Sequence, residues 1–184
     1  DRIDKILNHD LFLYHLGRNN AAEAGRRFCR HSMVHFLDVD RDDHALEEGL
    51  KIDREWIYAA ALLHDCGKHE QYENGTPHEQ ASARIAPEIL KDCGFDDEET
   101  GVIVTAIFRH RDPEAAKEKN LNGILYRADK ASRACFACDA EKDCNWKDDK
   151  KNLTIGTECN SLNRDIRKAV PGTETYPGTK IIQT

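Results

Sequence analysis

The sequence has no apolar run near the roughly 18 residues that a membrane span needs, so no membrane role is expected. It has no internal repeat, no low-complexity stretch and no convincing pair of strands, which removes the main support for solenoid, disordered and sheet-based folds. It has no surplus of positive charge. Its 27 Lys and Arg stand against 34 Asp and Glu, a net charge of −7, which argues against nonspecific nucleic-acid binding as its main task. The opening residues, Asp1-Arg2-Ile3-Asp4-Lys5, do not read as a secretion signal. Nor is there an even set of cysteines to pair: Cys29, Cys66, Cys93, Cys135, Cys138, Cys144 and Cys159 make seven. A chain of this size needs no disulfide staples, so a reducing cytoplasm is the expected compartment.

What is present is helical spacing. With 39% hydrophobic and 33% charged residues over 184 positions, the chain reads as one domain with a real core. Apolar residues recur at three and four. Residues 1–17 offer Ile3, Leu7, Leu11 and Leu13, and residues 20–38 offer a second helix with Phe28, His31, His35 and Phe36 on one face, continuing to Val39. Asp38, Asp40, Asp42, Asp43, Glu47 and Glu48 follow as a solvated acidic connector, with a short helix expected within 42–50. Residues 53–66 are almost wholly apolar after their first turn, which predicts a central buried helix stopped by Gly67. A loop from Lys68 to Gly75 then leads to Thr76-Pro77-His78-Glu79, which has the form of a capping box with Pro at the first helical position. The helix it opens carries Ala81, Ile85 and Ile89, and Pro87 is expected to kink or shorten it. Asp96 and Glu99 open a further helix with Ile103, Ala106, Ile107 and His110 on its face. Residues 120–139 show Leu121, Ile124, Leu125 and Ala128, with Asp129 one turn after Leu125; a weaker helix is expected at 160–170. The expected architecture is an all-α, single-domain bundle over residues 1–170 with a tail at 171–184.

The ionisable residues on the apolar faces carry the chemistry. His64-Asp65 ends the most hydrophobic helix, where an unpaired carboxylate costs several kcal/mol. His35, His78, His110 and Asp129 also fall on apolar faces, so five helices each aim a His or Asp inward. A shared metal centre is the economical explanation. Imidazoles with two carboxylates suit iron, manganese or zinc better than calcium or magnesium. One ion would take His35, His64, Asp65 and Asp129, and a second Asp65, His78 and His110, with Asp65 as the bridge.

The pattern His35, His64-Asp65 and Asp129 resembles the HD-domain superfamily of metal-dependent phosphohydrolases, over roughly residues 28–133. Leu62-Leu63-His64-Asp65-Cys66-Gly67-Lys68 is similar to its defining signature, His35-Phe-Leu-Asp-Val39 to its first histidine helix, and Tyr126-Arg127-Ala128-Asp129-Lys130 to its closing aspartate. His78 and His110 fit members that bind two metals; the Gly-Tyr-Pro signature of cyclic-dinucleotide phosphodiesterases is absent. His31 lies one turn before His35 and competes with it as first ligand, or serves as an additional or supporting one; the His-x-x-x-Val spacing favours His35.

The resemblance implies hydrolysis of a phosphate ester or anhydride of a nucleotide or other small phosphorylated metabolite, by metal-activated hydroxide. Asp65 would bridge, Asp129 would close the first site and take a proton from water, and Lys68 would steady the leaving oxygen. Arg109, Arg111, Lys130 and Arg133 form a local basic strip suited to an anionic substrate. His69, Tyr72 and Glu79 lie around the 68–79 loop. Two other readings stay open: an HD-fold di-iron oxygenase using the same donor set, and a nucleotide-binding module without catalysis. The oligomeric state is not legible. Cys135-Phe-Ala-Cys138 with Cys144 has a partial metal spacing. A separate thiolate site for zinc or an iron–sulfur cluster would need Cys29 or Cys159 as a fourth donor; packing and a redox disulfide are the alternatives.

Overall fold

A computed structural model of the chain describes residues 1–46 and 51–154. Its helices are α1 Arg2–Leu7, α2 Asp10–Ala22, α3 Met33–Leu46, α4 Arg54–Leu63, α5 Lys68–Glu73, α6 His78–Asp92, α7 Asp97–Arg109 and α8 Leu121–Ala131. Short 3₁₀ turns cover Pro113–Lys117, Cys135–Ala137, Glu141–Asp143 and Asp148–Lys150, and the described residues contain no strand. No helix among them is long and apolar enough to cross a membrane.

Helix α4 is the axis. Ile57 and every residue from Ala59 to Leu63 are buried, as expected of a helix apolar on all sides. It packs against α1, α3, α6, α7 and α8, while α6 lies on α7 and α3 on α8. Side chains fix the helix starts: Asp53 accepts from the Glu55 N–H, Asn120 from the Gly123 N–H, and Asp96 forms a full capping box with Glu99. Arg2 ties α1 to the bundle through Glu55 and Glu99, its guanidinium 4.0 Å from the centre of the Phe95 ring.

Several boundaries differ from the sequence reading. The first helix is two, broken at Asn8 and His9, with the His9 ring accepting from the Leu11 N–H to start α2; Leu13 faces outward. The second candidate does not begin at residue 20. Helix α2 runs on to Ala22, residues 23–32 are irregular with Phe28 exposed, and α3 starts only at Met33, so His31 precedes the helix that carries His35. Asp40 is buried rather than solvated, and 42–46 continue α3 instead of forming a separate helix. The 68–75 loop contains α5, whose Lys68 and His69 are buried. The capping box at Thr76 does not form: Pro77 is the cap residue, without a side-chain bond. Helix α6 passes through Pro87 and keeps its length to Asp92. Past Ala131 the chain turns instead of continuing as helix. The expected helix at 160–170, the tail at 171–184, residues 47–50 and Cys159 lie outside the described residues.

Candidate metal centre

Two helix ends build the centre by the same local device. His64 follows α4 and His110 follows α7, each as the C-terminal cap residue. Carbonyls in the last turn of a helix lack intrahelical partners. The His64 Nδ1–H donates to one of them, Ala61 O, at 2.8 Å, and the His110 Nδ1–H to Ile107 O at 2.6 Å. Those bonds set the tautomer and leave both Nε2 atoms with lone pairs turned inward. His78, at the start of α6, does the same through Gln71: its Nδ1 lies 2.6 Å from Gln71 Oε1.

The inward atoms converge on Asp65, which is 2% exposed. His64 Nε2 and His35 Nε2 stand 3.3 and 3.6 Å from Asp65 Oδ2, and His78 Nε2 and His110 Nε2 stand 3.1 and 3.6 Å from Asp65 Oδ1. Asp129 Oδ1 is 3.5 Å from His35 Nε2. Donor atoms of His35, His64, Asp65 and Asp129 lie within 4.8 Å of one another, and so do those of Asp65, His78 and His110. Facing imidazole nitrogens approach to 3.3 Å (His64 and His35) and 3.2 Å (His78 and His110). Asp65 Oδ1 is buried and accepts no hydrogen bond. An orphaned carboxylate oxygen among converging lone pairs is costly unless a cation sits between them. The donor set therefore fits one or two divalent transition-metal ions, with the Asp65 carboxylate shared.

Local fields keep Asp65, Asp129, His78 and His35 in ligand form. Burial alone would raise the Asp65 carboxyl; the surrounding imidazoles of His64, His31, His110 and His35 hold it well below the usual carboxylate range. Burial opposes ionisation of Asp129 too, and Lys130 and Arg133 overcome it. Burial, joined by Lys68 and His110 and opposed by Asp65, holds the His78 imidazole down to about 2. Burial likewise lowers His35.

The remaining sequence candidates take distinct places. Lys68 is buried, its Nζ 3.1 Å from His78 Nδ1 and 3.4 Å from Gln71 Oε1, on the second donor set's side. Lys130 Nζ bonds Asp129 Oδ2, and Arg133 reaches Asp129 Oδ1 at 3.3 Å. Arg111 is half exposed, 3.8 Å from Glu79 Oε2. Arg109 is engaged by Asp112 and Glu118 and lines an outer groove with Val104 and Phe108. His31 belongs to neither donor set. Its Nε2 lies 3.6 Å from Asp65 Oδ2, and its ring faces both His35 and His78, with centroids 5.5 and 6.4 Å away.

The sequence reading missed what holds these groups. Glu23, 2% exposed, accepts from the His31 Nδ1–H and backbone N–H, both at 2.6 Å, and from the Tyr72 hydroxyl at 2.6 Å. Burial disfavours its charge, but His31 and Tyr72 hold the carboxyl at about 2. Asn19, fully buried, donates to Asp65 O at 2.9 Å and accepts from the His69 N–H at 2.8 Å. His15 pairs with His69, Nδ1 to Nε2, at 2.8 Å. His15, Asn19 and Glu23 recur at helical spacing, a buried polar stripe along α2 and its cap residue that was legible as a pattern.

The HD domain family matches residues 34–140. An uncharacterized protein of Clostridium beijerinckii is 46% identical over 157 residues, covering 84% of this chain and 98% of that relative. No solved structure matches the chain. The family match takes in every donor of both sets, from His35 to Asp129, and covers more than half of the chain, which is therefore a member of the HD domain family.

Proposed function

We propose that this chain hydrolyses a phosphate ester or anhydride of a nucleotide or other small phosphorylated metabolite. The observation that carries the reading is the pair of buried donor sets sharing Asp65, with Lys68, Arg111, Lys130 and Arg133 around them. His35, His64, Asp65 and Asp129 would hold one ion, and Asp65, His78 and His110 a second. Bound there, the ions would supply Lewis acidity and lower the pKa of water.

The chain's own residues supply the rest. Asp65 stays ionised and holds both donor sets in register. Lys68 and Arg111 bring positive charge to the His78 side, where a phosphoryl oxygen would otherwise meet the field of buried carboxylates. Lys130 and Arg133 bring it to the Asp129 side. Proton acceptance falls to His31 Nε2, whose lone pair the Glu23–Nδ1 bond turns toward Asp65, or to Asp129, which closes the first donor set. Tyr72, part exposed and bonded to Glu23, stands at the edge of this arrangement.

The test is anaerobic purification with elemental analysis, then a screen of nucleotides and phosphate esters under iron, manganese and zinc. Phosphate release that requires metal, and loss of activity and of the metal held by the His/Asp donors in His64→Ala and Asp65→Ala with helical content kept, are expected. Full metal stoichiometry in both variants overturns the ligand assignment. Oxygen uptake without phosphate release overturns hydrolysis in favour of an oxygenase, and tight nucleotide binding without turnover under any metal overturns catalysis.

A further inference from the structure

The segment after α8 has almost nothing apolar to hold it. Of residues 132–154 only Ala140 is buried, and the path is a series of short turns. It nevertheless closes firmly on α8: the Asn152 side chain donates to the carbonyls of Lys130, Ala131 and Arg133 at 2.8, 2.9 and 3.0 Å. Three cysteines mark the turn junctions. The Cys138 N–H donates to Cys135 O, the Glu141 N–H to Cys138 O and the Cys144 N–H to Glu141 O.

A fourth cysteine arrives from the loop between α2 and α3. Arg27 pairs with Asp143 at 2.9 Å, and Arg26, Arg27, Phe28 and Arg30 share a groove with Asp139 and Ala140. This contact brings Cys29 within electrostatic reach of the Cys135 and Cys138 thiols and of Arg133. None of the described cysteines is in a disulfide. Burial pushes the Cys29 thiol up, and Arg133 opposes that shift.

We propose that Cys29, Cys135, Cys138 and Cys144 together bind one zinc ion as a four-thiolate structural site. Zinc accepts four thiolates tetrahedrally and contributes folding energy to segments too small for a core of their own. Binding releases the thiol protons to solvent. Cys29 and Cys144 lie outside the stretch that the HD domain family matches, so membership of that family does not account for the set. Among the described residues, the donor groups gathered to within 4.8 Å are the two His/Asp sets, so zinc binding requires the four thiols to close on the ion. The site ties the α2–α3 loop to the cap of α8. Arg133 stands between the two centres: it reaches Asp129 at 3.3 Å and stacks 4.1 Å from the Trp146 ring centre.

Cobalt(II) substitution of the full-length chain tests this without reference to activity. Sulfur-to-cobalt charge transfer arises from thiolate ligands alone, so it reads this site even with the His/Asp centre loaded. One equivalent of cobalt should give that band and intense tetrahedral d–d absorption. Cys29→Ser and Cys135→Ser should each weaken zinc binding at least tenfold and shift the band, with the α-helical circular dichroism of α1–α8 kept; Cys66→Ser, in the core, should leave the band unchanged. Elemental analysis of His64→Ala/Asp65→Ala should still find one zinc per chain. Absence of the band, or full zinc in both Cys29→Ser and Cys135→Ser, overturns the site. Loss of the band in Cys159→Ser but not in Cys29→Ser overturns the choice of fourth ligand. Iron with acid-labile sulfide in place of zinc in anaerobic protein overturns the choice of metal.

Discussion

Gly67 sits in the turn between His64-Asp65 and α5, and a single methyl group there should disturb both stability and the centre. Its φ of −88° and ψ of 12° suit any residue, so Gly67→Ala introduces no backbone strain. The added Cβ, however, would lie 2.6 Å from Ser82 N, 2.7 Å from Ala81 Cβ and 2.8 Å from Ala81 C. These are mostly backbone atoms of α6, so rotating a side chain gives no relief; α6 must retreat by roughly 1 Å to regain ordinary contact. The Gly67 N–H to Ser82 Oγ bond, 2.9 Å, stretches with it. Overpacking of this kind costs about 1–3 kcal/mol, and in a chain of this length each kcal/mol lowers Tm by about 2–4 °C. Helix α6 also carries His78, so the second donor set should open while His35, His64 and Asp129 stay together. Urea and thermal unfolding of chelator-treated protein measure the first effect, and metal stoichiometry the second. Gly17→Ala is the paired control. That position is inside α2 with nothing within 4 Å of its Cβ, so the same change should stabilise by about 0.5–1 kcal/mol. Shifts of the same sign in the two variants, or an unperturbed Gly67→Ala with both ions bound, would refute the steric reasoning.

Asn19→Ala removes both buried bonds to the Asp65–His69 turn and should cost about 2–4 kcal/mol in urea unfolding; a loss under 0.5 kcal/mol would mean that the turn holds itself. Glu23→Gln removes the charge behind the His31 ring, and phosphate release should fall about 10–100-fold with metal content unchanged; full activity would show that the Glu23 charge plays no part in the chemistry. Burial, with His69 beside it, holds the His15 imidazole at about 4 against an ordinary 6.5. The unfolded chain therefore takes up a proton that the folded chain refuses. The stability this provides is full above pH 6.5 and drains away as pH falls toward 4, by about 3 kcal/mol. His15→Gln should flatten the stability profile across that window relative to the parent; parallel profiles would show that His15 titrates normally.

The centre was legible where chemistry and local pattern coincide. A histidine and an aspartate ending the most apolar stretch of the chain are hard to reconcile with a bland core, and Asp96 with Glu99 marks a helix start by backbone bonding alone. Helix α5 was read as loop because Lys68, His69, Gln71 and Glu73 carry no apolar stripe; tertiary contacts bury Lys68 and His69. The late start of α3 escaped because Phe28, His31 and His35 are spaced as on a helix, while Glu23 captures the His31 backbone N–H and holds residues 23–32 out of helical form.

Residue order alone was enough for the all-helical class and for the identity of the donor types, because amphipathic period and misplaced charge are local properties. Convergence is not local. That Asp65 meets four imidazoles, that Glu23 backs His31, and that Cys29 lies by Cys135 all depend on how helices pack, since a polar residue at the end of a helix looks solvated until a neighbouring element covers it.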